Sequence, residues 1–119
     1  MNGDVVYRGK VVGVTFSPTK ESFQACIARF KEVGEGQIDP VVRLEHDPSN
    51  KFDPNAVKVL MKNRGDQDEF HIGWLPGPKN GGFNKKVLEV GLDNCKVELE
   101  QCNLYEEKIV GFGIIVTKR

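Results

Sequence analysis

Asp53 stands beside Phe52 in the run Asp47-Pro48-Ser49-Asn50-Lys51-Phe52-Asp53-Pro54-Asn55. A carboxylate held next to an aromatic ring can grip a small polar group beside a flat one. The run itself is made of turn formers. Asn and Asp side chains bond their own backbone two residues on, and each proline fixes φ, so the segment can be stiff without being regular. The competing reading is architectural: a turn held by its own Asx bonds, with Phe52 plugging the core.

Other chemistries fit less well. Asp47 and Asp53 could serve as paired carboxylates with His46 or His71 as a base, but no nucleophile stands with a base and an orienting partner, so an enzyme is not expected. The Asp47-to-Asp53 segment lacks the glycine and the terminal Glu of a calcium loop. The cysteines, Cys26, Cys95 and Cys102, form no CxxC pair, which fits free thiols in a reducing compartment. Zinc needs closer ligand pairs than these and the two histidines offer. Neither a metal nor a cofactor is expected.

The elements that must position Phe52 and Asp53 are short. A chain of 119 residues fits one domain, residues 1–119, and can bury a real core. Its 13 glycines favour turns and short strands over long helices. There is no apolar run of transmembrane length and no signal-peptide pattern at Met1-Asn2-Gly3-Asp4, so an intracellular protein is expected, with no membrane partner. A monomer is expected. Net charge is zero, which argues against coating long duplex DNA but leaves room for a short local footprint.

Taken in order, residues 5–16 read as a β-branched strand with a break or bulge near Gly9 and Gly13. Ser17-Pro18 reads as an N-cap and first helical position. The spacing of Phe23, Cys26, Ile27 and Phe30 predicts a helix over 19–33 with one apolar stripe and with Arg29 on the wet side. Gly34 should end it. Residues 41–46 alternate as a strand, and residues 56–62 should pair with them antiparallel across the Asp53 loop. Residues 63–68 form a polar turn long enough to be mobile. Residues 70–75 are a third strand, in which His71 should face water. Residues 84–90 should form a short helix with Phe83, Val87 and Leu88 inward. The Lys85 and Lys86 cations near its start are disfavoured by the dipole unless solvent or an anion relieves them. Strands over 95–103 and 108–118 close the chain, the last broken by Gly111 and Gly113. The sum is an α+β, mainly β fold with one longer and one short helix. A small, partly open antiparallel barrel satisfies it, and such barrels commonly bind oligonucleotides.

Three pieces of this chain together resemble the HIRAN domain. They are Val11-Val12-Gly13-Val14, then Leu44 through Val59 with its central Asn50-Lys51-Phe52-Asp53-Pro54-Asn55-Ala56-Val57, then Ile72-Gly73-Trp74-Leu75-Pro76. The middle piece is specific; the outer two add weight by their order. The resemblance spans residues 11–90 and implies an OB-like β-barrel with helices. The best-understood members, at the N-terminus of helicase-like fork remodellers in DNA repair, bind single-stranded DNA at its free 3′-hydroxyl end. Others sit beside helicase or nuclease domains, which makes such a protein a natural partner. The location implied is cytoplasmic for a bacterial chain and nuclear for a piece of a eukaryotic remodeller.

By that resemblance, Asp53 would accept a hydrogen bond from the terminal 3′-hydroxyl, Phe52 would flank the last nucleotide, and Phe16 would stack a base. Asn50 would belong to the same loop site, and Lys79, in the turn over 76–80, would meet the terminal phosphate. Trp74 is a further candidate contact, although a lone tryptophan on a strand is more often core. The chain also departs from the pattern. Phe52 and Phe16 stand where the characterised binders use tyrosine, and Thr15 stands where they carry arginine, removing a contact worth about 1–3 kcal/mol. The expected function is therefore a non-catalytic module for single-stranded 3′ ends; the alternative is a protein-interaction adaptor that keeps the fold without DNA-end binding.

Overall fold

The computed structural model describes residues 4–13, 18–105 and 108–119. Its first strand, β1 (Val5–Lys10), pairs antiparallel with β6 (Lys108–Lys118), which in turn pairs with β5 (Cys95–Tyr105). A second antiparallel sheet has the order β2 (Pro40–His46), β3 (Val57–Asn63), β4 (Phe70–Trp74). The long helix α1 (Thr19–Val33) packs chiefly against β4, and the short helix α2 (Phe83–Val90) lies by β1.

The two sheets touch at one corner through a pair of backbone bonds, Val12 N–H to Trp74 O at 2.9 Å and Trp74 N–H to Val12 O at 2.8 Å. On the opposite side β2 lies against β5, and no ladder joins those two among the described residues. The sheets share one apolar core. Phe112, Ile114 and Val116 come from one sheet, Val57, Val59, Met61 and Ile72 from the other, and Phe23, Cys26, Ile27 and Phe30 from α1. Period-two alternation supplies the strand faces and the 3.6-residue period the helix stripe.

Phe112 is fully buried and meets Phe23 edge to face, with centroids 5.3 Å apart. Phe112→Ala should cost about 3–5 kcal/mol, read as a lower urea midpoint with an unchanged slope. Cys26 is a buried small hydrophobe, and burial pushes its thiol up to about 12. Among the described residues, no helix is long and apolar enough to cross a membrane.

Several expected details fall elsewhere. Helix α1 begins at Thr19, with Pro18 one position before it; Ser17 lies outside the described residues. Its end at Gly34, whose N–H bonds Phe30 O, is as expected. β1 runs through Gly9, whose missing side chain leaves room for the Tyr7 ring; it is irregular at Val6 and ends at Lys10, between Gly9 and Gly13 and short of the expected residue 16. β6 is also unbroken. Its glycines stay paired, and irregularities between Leu99 and Gln101 and between Asn103 and Leu104, in β5, take up the register shifts. The polar turn over 63–68 is pinned by a bidentate ion pair, Arg29 Nε to Asp66 Oδ2 at 2.8 Å and Arg29 Nη2 to Asp66 Oδ1 at 2.9 Å. Arg29 is therefore half-buried against that turn, and its guanidinium holds the Asp66 carboxyl below the usual range.

Candidate functional site

The loop between β2 and β3 is built by its own side chains. Its base is closed by Asp47 N–H to Ala56 O at 2.8 Å and by His46 Nε2, which donates to Pro54 O at 2.8 Å. Asn50 Oδ1 accepts from the N–H groups of both Phe52, at 2.9 Å, and Asp53, at 3.0 Å. Asp53 Oδ1 accepts the Asn55 N–H at 2.9 Å. These are two successive Asx turns, the local bonding the sequence predicts. They stiffen the segment that presents Phe52 and Asp53.

Phe52 does not plug the core. Its ring is 96% exposed, because the turn held by Asn50 places it at the loop surface. A fully exposed aromatic on a rigid loop gains nothing for the fold and offers a free face for contact.

Asp53 is half-buried, and its second oxygen meets a partner that sequence reasoning missed. Asn84, in the first turn of α2, donates from Nδ2 to Asp53 Oδ2 at 2.7 Å. Its N–H bonds Pro76 O and its Oδ1 accepts the Lys85 N–H, so this 2%-exposed side chain is well partnered. A signal existed: Asn84 is three and four residues before Val87 and Leu88, on the face expected to be inward. Nothing in the sequence tied that face to Asp53, 31 positions earlier.

Asp53 and Asn84 border a cleft of about 560 Å³. Val12, Pro18, Ala56, Trp74 and Leu75 supply apolar wall; Asn50, Asn80 and Asn84 supply amides; Phe52 stands at it as well. Asp53 is the one ionisable group among the described lining residues. Trp74 is half-exposed wall rather than core. It fits because Gly13 has φ +77°, and a side-chain carbon there would stand 2.7 Å from Trp74 Cδ1.

Of the expected site residues, the structure therefore brings together Asn50, Phe52, Asp53 and Trp74. Lys79 is exposed in the turn Pro78–Asn80, between the lining residues Gly77 and Asn80, without lining the cleft itself. Thr15 and Phe16 lie outside the described residues. Lys86 meets the Phe83 ring, Nζ 4.9 Å from its centroid, which offsets its place near the start of α2. His71 is only partly open to water: it is half-buried against Trp74, and burial holds its imidazole below the ordinary value. Among the described residues, no group of three or more His, Cys, Asp or Glu is placed to hold a metal ion. No protein-family model, curated protein or solved structure matches the chain.

Proposed function

We propose that this chain is a HIRAN-like, non-catalytic module that binds single-stranded DNA and reads its 3′-hydroxyl end in the Asp53 cleft. One observation carries the reading: a lone carboxylate, pre-oriented by Asn55 and Asn84, borders an apolar cleft beside a fully exposed ring. A carboxylate accepts a charge-assisted bond from a hydroxyl and repels a phosphate, so one residue selects an unmodified end. Phe52 and Trp74 offer faces on which any base stacks, which makes the site tolerant of sequence. The resemblance adds Phe16 as a further stacking ring and Lys79 as the cation for the last phosphate. The sheets, bridged at Val12–Trp74 and adjacent at β2 and β5, suit a partly open OB-like barrel.

The test is fluorescence anisotropy with labelled decanucleotides ending in a 3′-hydroxyl or a 3′-phosphate. The hydroxyl strand should bind more tightly. With one or two phosphate contacts, its affinity should fall only about three- to sevenfold for a fourfold rise in salt. Phe52→Ala should leave stability within about 0.5 kcal/mol of wild type while binding weakens by about 1–3 kcal/mol. If neither strand binds at low salt, the DNA-end reading is wrong and the adaptor reading replaces it.

A further inference from the structure

β4 carries one residue more than its partner where Val59 faces Gly73 and Leu60 faces His71; the extra residue is Ile72. In a regular strand, positions three apart point to opposite faces. His71 and Trp74 are three apart, and the bulge returns them to one face. Their rings meet edge to face, centroids 4.7 Å apart with planes at 81°. His71 Nε2 also lies 2.8 Å from Gly73 O. A carbonyl oxygen only accepts, so Nε2 is the protonated nitrogen and the bond spans the bulge. Gly13 packs on the indole's Cδ1 side, and the backbone of Trp74 is tied to Val12.

We infer that His71 is a positioning residue of the cleft: its bond across the Ile72 bulge and its ring contact fix the indole of Trp74 as a cleft wall. The consequence for DNA binding rests on the function proposed above; the positioning of Trp74 does not. The charged groups facing the imidazole are Lys58 on β3 and Glu45 and Asp47 at the end of β2. Burial is the largest influence on its titration and Lys58 adds to it, both favouring the neutral ring; the Gly73 carbonyl, Asp47 and Glu45 pull the other way.

Trp74 is the only tryptophan in the chain, so intrinsic emission reports this contact. An imidazolium quenches a neighbouring indole more strongly than a neutral imidazole does. Wild-type emission should therefore fall on acidification, with a midpoint below the roughly 6.5 of a free histidine. His46→Gln should keep that titration and His71→Gln should abolish it. His71→Ala, with neither ring nor donor, should red-shift the emission, increase its quenching by acrylamide, and weaken binding of the 3′-hydroxyl decanucleotide about tenfold. His71→Gln, whose amide nitrogen can reach Gly73 O as Nε2 does, should recover most of that loss. Far-UV circular dichroism checks that each variant is folded. The inference is overturned if wild-type emission does not titrate, if His71→Gln titrates like wild type, or if His71→Ala leaves emission and quenching unchanged. If the emission results hold and no strand binds, the positioning role stands and the DNA reading is what fails.

Discussion

Asp53→Ala is expected to erase the preference for a 3′-hydroxyl over a 3′-phosphate end and to weaken hydroxyl-end binding roughly ten- to hundredfold. In the folded chain each oxygen of this carboxylate already accepts one bond, from Asn55 N–H at 2.9 Å and from Asn84 Nδ2 at 2.7 Å. Each oxygen keeps acceptor capacity for another donor. A terminal hydroxyl in that place makes a bond to a charged acceptor, worth about 1.5–3 kcal/mol, which sets the expected factor. A terminal phosphate meets the same charge as repulsion. The ratio between the two ends is the decisive readout, because it separates end recognition from structural damage. Damage is expected too: without the carboxylate the buried Asn84 amide loses its acceptor, at about 1–3 kcal/mol. A variant that is less stable yet still prefers the hydroxyl end would show that Asp53 supports the loop without reading the ligand.

Asn84→Asp is expected to destabilise the protein by about 3 kcal/mol at neutral pH and to lose most of that penalty in mild acid. The replacement has the same shape, so nothing clashes. It sets a second carboxylate 2.7 Å from Asp53 at a position only 2% exposed. Two such groups cannot both ionise, and the pair titrates with one apparent pKa raised above the ordinary aspartate value of about 3.9. The sign follows from linkage. With the folded pKa raised, the folded state holds its proton more tightly than the unfolded chain does. The variant is therefore best off below the unfolded pKa and loses stability as pH rises through the raised folded value. Protonated, the new carboxyl donates to Asp53 much as the amide did. Thermal melts of wild type and variant, compared at neutral pH and at about pH 4.5, check this: the gap in melting temperature should narrow in acid. An equal gap at both would mean that the Asn84–Asp53 contact does not hold the site together.

Both variants act on one bond, and that bond shows where sequence reading stops. The stripe of Phe23, Cys26, Ile27 and Phe30 and the stop at Gly34 were legible, because helix periodicity and a glycine terminus act within a few residues. The β2–β3 pairing across its loop was legible for the same reason, as were the Asx turns at Asn50 and Asp53. Phe52 and Asp53 could be chosen together because they are neighbours in the chain.

The structure decided the rest. Whether Phe52 filled the core or stood free depended on the path of the loop over the cleft, and its side chain proved 96% exposed. His71 keeps the outward face that alternation assigns it, paired with Leu60, but the extra residue at Ile72 turns Trp74 onto that same face, and the indole packs against its ring. Asn84 looked like one more polar residue at a helix start until the packing of α2 brought it to Asp53. The pairing of β1 with β6 joins strands from the two ends of the chain. By itself the sequence determined the helices, most strand bounds and the stiff loop, since these follow from hydrogen bonds and periodicity among near neighbours. Which side chains line the cleft, and what holds its carboxylate and its indole, follows from register, bulges and long-range packing that only the tertiary structure decided.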